Sequence, residues 1–143
     1  MPEISVIMSV FNGEDFLAES IQSVLAQSFK NFEFIIIDDG SNDNSSEVIR
    51  SFEILDQRIK VITQKNQGLA RSLNIGIKKS KGKYIARIDA DDICYESRLK
   101  KQFTFMEENP AVDLVGSSVD VIDESGSITT SKIQIASFED IYE

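Results

Sequence analysis

The sequence predicts an α/β fold: a three-layer, Rossmann-like arrangement with a mostly parallel central sheet and helices on both faces. Short apolar runs alternate with helical patterns in the order β-α-β-α-β-α-β, as in parallel sheets built from βαβ units. Two of the runs, Phe34–Ile37 and Tyr84–Ile88, lead directly into clusters of aspartate. A length of 143 residues with 41% hydrophobic content fits one domain over residues 1–143.

Each element has its own signal in the chain. Strands are predicted where β-branched and apolar residues run together, at Ile4–Val10, Phe32–Ile37, Ile59–Ile62 and Tyr84–Ile88. Helices are predicted from apolar residues at helical spacing, with four inward-facing sets: Leu17, Ile21, Val24 and Leu25; Val48, Ile49, Phe52 and Leu55; Leu69, Leu73 and Ile77; Leu99, Phe103 and Met106. Asp113–Ile122 and Ser127–Ile133 flank the turn Asp123–Gly126 and predict a hairpin.

Composition excludes several classes of function. The net charge of -9 leaves no surplus of Lys and Arg to bind a nucleic-acid backbone. The absence of histidine removes Ser-His-Asp and Cys-His catalysis and His-ligated zinc. The single cysteine, Cys94, forms no internal disulfide and fits a reducing cytoplasm. No signal peptide and no membrane span are predicted.

The predicted topology brings the polar strand ends together. Right-handed crossovers wind the first three strands outward, and the fourth strand then joins the free side of the first. The loops Ser9–Asn12, Asp38–Ser41 and Asp89–Asp92 therefore open onto one crevice. Crowded carboxylates repel one another and lose hydration, which costs stability unless a cation or a hydrogen-bonding ligand lies among them. Mg²⁺ or Mn²⁺ is the kind of hard cation that carboxylates bind. The crevice suits a nucleoside diphosphate with such a metal.

Other interpretations of the aspartates were weighed against this one. Asp is common in solvated turns, but its recurrence after two strands favours a site. Neither G-x-G-x-x-G nor G-x-x-x-x-G-K-[ST] occurs, which argues against a Rossmann dinucleotide enzyme and a P-loop NTPase. A phospho-receiver domain fits less well, because its acidic residues follow the first and third strands. A nucleotidyltransferase also fits less well, because its usual glycine-rich, basic early loop is missing from this sequence.

Four segments carry a family resemblance over about the first 120 residues: SVIMSVFNGEDFLAESIQSVLAQSF, FEFIIIDDGSNDNS, NQGLARSLNIGIKKSKGKYIARIDADDI and RLKKQFTFMEENPAVDLVGS. Together they resemble the family 2 glycosyltransferases. The resemblance implies the GT-A fold and inverting transfer from a nucleoside-diphosphate sugar, with a UDP-sugar as the expected donor and Mn²⁺ or Mg²⁺ as cofactor. It implies donor contacts from Ser9, Phe11, Glu14, Asp38, Asp39, Arg71 and Asp89, and metal ligands Asp91 and Asp92.

Within that resemblance the residues have separate roles. Phe11 would stack on the nucleobase, and Asp39 would accept a hydrogen bond from it, with Asp38 or Glu14 nearby. Arg71 is a candidate for the diphosphate, since Arg is a bidentate donor, but an ordinary solvated helix residue is an equal alternative. Arg87 is expected beside an aspartate of the D-x-D loop.

The resemblance also indicates where the general base of the reaction is expected. The family's general base lies well downstream of D-x-D, so it is expected beyond Glu143; Glu139-Asp140 comes too early. We therefore expect the donor-binding part of a transferase, which binds donor without transferring it to a glycan or lipid-linked acceptor. The alternative is a non-catalytic nucleotide-sugar-binding module. The expected setting is cell-envelope polysaccharide synthesis in the cytoplasm or, in a longer protein, at the inner face of a membrane.

Overall fold

The computed structural model describes residues 1–123 and 126–132. Strands and helices alternate as predicted: β1 (Ile4–Val10), α1 (Glu14–Leu25), β2 (Phe32–Asp38), α2 (Ser45–Leu55), β3 (Ile59–Thr63), α3 (Leu69–Lys79), β4 (Tyr84–Arg87) and α4 (Arg98–Glu108). Two further strands follow, β5 (Val119–Ile122) and β6 (Ile128–Lys132). None of the described helices is long and apolar enough to cross a bilayer.

The first four strands form one parallel sheet in the order β3-β2-β1-β4. This confirms the order that right-handed crossovers predict. In the register of the sheet, Val10 at the end of β1 lies opposite Asp38 at the end of β2, and Ile7 lies opposite Arg87 in β4. The residues after β1, β2 and β4 therefore leave the sheet at the same edge.

Helices pack on both faces of the sheet, and an apolar core lies between the sheet and each layer of helices. On one face, strand residues such as Met8 and Phe34 pack with Leu17 and Ile21 of α1 and with Ile49 of α2. On the other face, the strand residues Ile7, Ile35 and Ile37 pack with Leu73 of α3. These residues bury both faces of β1 and β2 and the predicted inward face of α1. The three-layer prediction is confirmed.

Two helices bury different residues from those predicted. In α3 the buried residues are Ser72 and Gly76, while Leu69 and Ile77 stay half-exposed. A Cβ on Gly76 would lie 2.6 Å from Ile7 Cγ2 and 2.9 Å from Ile37 Cδ1, so the helix presents its small residues to the sheet. In α2 the predicted inward residue Leu55, the last residue of the helix, is exposed.

The chain divides into two compact units, and residues 1–103 form the first. Within the second, β5 and β6 make an antiparallel hairpin with Val121 opposite Thr130. The predicted first strand of this hairpin was too long, since residues 113–118 have no regular secondary structure. The predicted strand end at Ile133 and the pair Glu139-Asp140 lie outside the described residues.

Candidate functional site

Four connections lie at the edge of the sheet where the parallel strands end. They are residues 11–13 after β1, 39–44 after β2, 64–68 after β3 and 88–97 after β4. The backbone of Asp39 donates to Val10 O at 2.8 Å, so the first and second connections begin side by side. The backbone of Ile88 donates to Ile7 O at 3.1 Å, and a Cβ on Gly13 would lie 3.8 Å from Ala90 Cβ, so the fourth connection runs beside the first. The predicted meeting of these loops is confirmed.

Asp39 joins the loop after β2 to the loop after β3. Its carboxylate accepts hydrogen bonds from Gln64 Nε2 at 2.7 Å, Gln67 N at 2.9 Å and Gly68 N at 2.8 Å. Burial raises the pKa of Asp39, but these donors outweigh it and the pKa lies below its ordinary value. Gly40 lies so close to the second loop that a Cβ would be 2.8 Å from Asn66 N. The two loops therefore form one interlocked unit.

The Asp38 carboxylate is likewise held by residues close to it in the chain. Its carboxylate accepts from Ser41 N at 2.9 Å and from Ser46 Oγ at 2.5 Å, and the residue is only 2% exposed. Both members of the Asp38-Asp39 pair thus have structural partners on the chain. Their direct contact with a nucleobase or ribose stays a prediction.

Glu14 takes part in a clamp between the first turns of α1 and α2. Its Oε2 accepts from the backbone and side-chain nitrogens of Asn44, at 2.8 and 2.6 Å. In return Asp43 accepts from Glu14 N at 3.1 Å and from the backbone of Ser45, the first residue of α2, at 3.0 Å. The pKa of Asp43 lies below its ordinary value, chiefly because of a hydrogen bond from the Ser45 side chain and, to a smaller extent, because of the one from Ser45 N. Sequence reasoning missed Asp43, although an Asp near the start of a helix often accepts from the first backbone N–H groups.

Phe11 projects from the loop after β1 and is 49% exposed. The next residue, Asn12, has a left-handed backbone with φ of +53°, a conformation that Asn tolerates better than most residues. Asn12 Oδ1 accepts from Asn42 N at 2.8 Å, and Asn12 N donates to Ser41 Oγ at 3.1 Å. The backbone that carries the Phe11 ring is therefore held by the loop after β2.

The other two predicted donor contacts lie at the same end of the sheet. Ser9 is half-buried near the end of β1, opposite Ile37. Arg71 is exposed in the first turn of α3, the helix whose start Asp39 holds. A role for either residue in binding a donor stays a prediction.

The loop after β4 contains Asp89, Asp91 and Asp92. The Arg87 guanidinium donates to both carboxylate oxygens of Asp89, at 2.7 and 2.8 Å, which confirms that Arg87 lies beside an aspartate of this loop. Asp91 and Asp92 are exposed. Burial, and then the negative charges of Asp89 and Asp91, raise the pKa of Asp92 above its ordinary value. The charges of this loop therefore repel one another.

The described residues contain no group of three or more Asp, Glu or Cys side chains already arranged around a metal position. The donor chemistry of the acidic loop nevertheless fits a hard divalent cation, which prefers carboxylate oxygen. A cation would also offset the repulsion that raises the pKa of Asp92. Asp91 and Asp92 are the exposed carboxylates available for it.

Gln27, which sequence reasoning missed, anchors the far end of the acidic loop. It lies just after α1, is fully buried, and donates to Tyr95 O at 2.8 Å while accepting from Leu99 N at 3.0 Å. Ser28 N donates to Glu96 O at 2.9 Å beside it. No spacing or motif marks Gln27, because its partners lie some 70 positions further along the chain.

Comparison with known proteins identifies relatives. The sequence profile described as Glycosyl transferase family 2 matches residues 5–142. An uncharacterized glycosyltransferase of Haemophilus influenzae is 42% identical over 124 residues, which are 86% of this chain and 38% of that protein. The chain thus spans well under half of that relative's length.

Two solved structures share the fold. Staphylococcus aureus TarS 1–349 in complex with UDP-GlcNAc has a TM-score of 0.71 at 22% identity, over 85% of this chain and 40% of that chain. The mannosyltransferase PcManGT from Pyrobaculum calidifontis, in complex with GDP-Man and Mn²⁺, has a TM-score of 0.72 at 20% identity, over 84% and 36% of the two chains. Likeness at these identities concerns the fold alone.

Proposed function

Because the chain belongs to glycosyl transferase family 2 and has the GT-A fold, we propose that it binds the nucleoside-diphosphate sugar of an inverting, metal-dependent glycosyltransferase. The observation that carries the proposal is the meeting of three loops at one edge of the sheet. One loop offers an exposed aromatic ring, and the second interlocks with the start of the helix that bears Arg71. The third has the exposed carboxylates of Asp91 and Asp92, and the pKa of Asp92 is raised.

Each part of the donor has a candidate partner. The Phe11 ring stacks on the nucleobase, since base-aromatic stacking needs an exposed ring on a well-held backbone. Arg71 donates to the diphosphate as a bidentate partner. Asp89, already oriented by Arg87, lies toward the ribose or the sugar. UDP is the expected nucleotide; UDP-GlcNAc is bound by TarS, whose fold this chain shares.

Asp91, with Asp92 beside it, would hold Mn²⁺ or Mg²⁺. When bound, the cation supplies Lewis-acid stabilisation of the negative charge on the departing nucleoside diphosphate. The chain's own residues bind and orient the donor so that this charge develops next to the acidic loop. The proposed acceptor is a hydroxyl of a glycan or of a lipid-linked sugar in cell-envelope polysaccharide synthesis, deprotonated by a carboxylate acting as general base.

The proposal is tested by titrating UDP and GDP into the protein by calorimetry, with and without Mn²⁺. We expect binding that depends on Mn²⁺, and Asp91→Asn should weaken it by at least about 100-fold, because even outer-shell partners of metal ligands are worth roughly 10–100-fold. The matched control is Asp15→Asn, an exposed aspartate in the first turn of α1 that has no proposed role.

Two results would contradict the proposal. Unchanged Mn²⁺-dependent affinity in Asp91→Asn would remove the metal from the acidic loop. Equal losses in Asp91→Asn and Asp15→Asn would show that only the overall negative charge of this edge matters.

A further inference from the structure

The acidic loop, residues 88–97 between β4 and α4, is bridged by the side chain of Arg98, the first residue of α4. Arg98 Nη2 donates to the backbone oxygen of Arg87, the last residue of β4, at 2.8 Å. Its Nη1 donates to Cys94 Sγ at 3.0 Å, on the far side of the aspartates. One guanidinium therefore joins the residue before the loop to a residue in the second half of the loop.

Other contacts attach the two halves of the loop to different elements. The first half is attached to β1 through the backbone of Ile88. The second half is attached to α1, because Cys94 N donates to Ser23 Oγ at 3.0 Å. The aspartates lie between these two attachment points. By holding both sides at once, Arg98 fixes the distance that the acidic segment has to span.

The burial of Arg98 favours a role beyond stability. The residue is half-buried, and its Nε is buried without a hydrogen-bond partner among the residues that the structure describes. A buried N–H group without an acceptor costs stability, so the side chain is not in the arrangement that would stabilise the fold most. Its two Nη contacts, by contrast, are both made to the ends of the acidic segment.

We propose that Arg98 is a positioning residue of the metal site, which holds Asp91 and Asp92 where a divalent cation binds them. This inference rests on the proposed function, the metal-dependent binding of a nucleoside diphosphate. Arg98 acts through the backbone of the loop and contacts neither the cation nor the nucleotide. Residues that orient metal ligands in this way contribute about 10–100-fold to metal affinity, because the ligands then need less rearrangement.

The charge of Arg98 is a competing explanation with the opposite sign. Burial and the charges of Asp89 and Asp91 raise the pKa of Asp92, whereas the positive charges of Arg98 and Arg87 lower it. If Arg98 acted through charge alone, its removal would make the loop more negative and strengthen the binding of a cation. If it acts by positioning, its removal weakens that binding.

The test is calorimetric titration of UDP, with and without Mn²⁺, into Arg98→Lys and Arg98→Met. Lysine keeps the charge but lacks the planar fork that makes the two contacts. We expect both variants to lose about 10-fold in Mn²⁺-dependent UDP affinity. The matched controls are Arg58→Lys and Arg58→Met, which should keep it. Arg58 is also half-buried and donates to a backbone oxygen, Leu25 O at 3.2 Å, but it precedes β3 at the other edge of the sheet.

A second measurement needs no metal. Cys94 belongs to the acidic loop and is the single cysteine of the chain, so the rate at which its thiol reacts with a chromogenic disulfide reports opening of the loop. Arg98→Lys should raise this rate several-fold, because the contact to Cys94 Sγ is lost while a positive charge remains near the thiol. An unchanged rate would mean that Arg98 does not hold the loop, and would overturn the proposal.

Three outcomes of the titration would also overturn it. Unchanged Mn²⁺-dependent affinity in both Arg98 variants, with lower melting temperatures, would make Arg98 purely structural. Tighter binding in Arg98→Met with no change in Arg98→Lys would assign its effect to charge. Equal losses in the Arg58 variants would show a general effect of destabilisation.

The parent protein separates this inference from the proposed function. If the parent shows no Mn²⁺-dependent UDP binding, the proposed function fails and this inference fails with it. If the parent binds and the Arg98 variants bind equally well, this inference fails alone. Melting temperatures show which variants are folded, and Arg98→Lys, the more conservative change, decides the result if Arg98→Met does not fold.

Discussion

The two aspartate clusters look alike in the sequence and differ in the folded protein. Each follows an apolar strand and lies at the same edge of the sheet. Asp38 and Asp39 are 2% exposed and fully engaged with loop donors, and the pKa of Asp39 is lowered. Asp91 and Asp92 are exposed, and the pKa of Asp92 is raised. The difference lies in the number of hydrogen-bond donors that neighbouring loops supply.

The acidic residues of the first cluster stabilise the fold, whereas those of the second are left for a ligand. Backbone N–H groups and a glutamine amide complete the first cluster, so it needs no ligand to be stable. In the second cluster the Arg87 guanidinium contacts Asp89, while burial and the charges of Asp89 and Asp91 raise the pKa of Asp92. Binding of a cation or of a ligand's hydrogen-bond donor should therefore stabilise the second cluster more than the first.

The largest expected effect is on stability at the first cluster. Asp39→Ala should lower the free energy of unfolding by about 3 kcal/mol, because three donors lose a buried acceptor. Asp39→Asn should cost about 1–2 kcal/mol, since the amide keeps one acceptor oxygen. Urea unfolding measures both values. A loss below about 0.5 kcal/mol in Asp39→Ala would show that water replaces the carboxylate at little cost.

The second expected effect concerns binding beside the first cluster. If that cluster holds the loops rigid while Phe11 makes the contact, Phe11→Ala should weaken UDP binding by about 1–3 kcal/mol. Its melting temperature should stay close to that of the parent, because the ring is 49% exposed. Phe11→Tyr is the control and should keep its affinity. A lower melting temperature with unchanged affinity would identify Phe11 as a packing residue.

The third prediction uses pH to isolate the charge of Asp39. Its folded-state pKa lies below the ordinary 3.8, so the ionised carboxylate contributes stability that is fully present above pH 3.8. That contribution is lost as the pH falls through the folded-state pKa. The difference in stability between the parent and Asp39→Asn should therefore be constant from pH 7 to about 5 and shrink below about 4. A difference independent of pH would mean that hydrogen-bond geometry, not charge, makes the contribution.

The smallest expected effects are at the second cluster in the absence of metal. Asp91→Asn should change the free energy of unfolding by less than about 0.5 kcal/mol, or raise it slightly, because it removes one repelling charge. Asp89→Asn should lose at most about 0.5 kcal/mol, the usual contribution of an exposed ion pair. With Mn²⁺ and UDP present, the parent should melt higher than Asp91→Asn. A loss above 2 kcal/mol without ligand would make this cluster structural too.

Much of the fold follows from local patterns. The strand order β3-β2-β1-β4 could be predicted because crossover handedness leaves few alternatives once the strands are found. The burial of Leu17, Ile21 and Ile49 follows from helical spacing. Helix α3 shows the limit of that reasoning, since Leu69 and Ile77 have the right spacing but Gly76 is what fits against Ile7. Close approach between layers depends on shape, which spacing does not encode.

The sequence by itself determined the alternation of elements, the edge at which the polar loops meet and the family resemblance, because these depend on periodicity, chain handedness and ordered motifs. Only the tertiary structure decided which carboxylates are satisfied. Asp39 has its donors in residues 64–68, and Glu14 has its partner in Asn44. Those partners lie about 25 to 30 positions away, and only the packing of the loops brings them within hydrogen-bond distance.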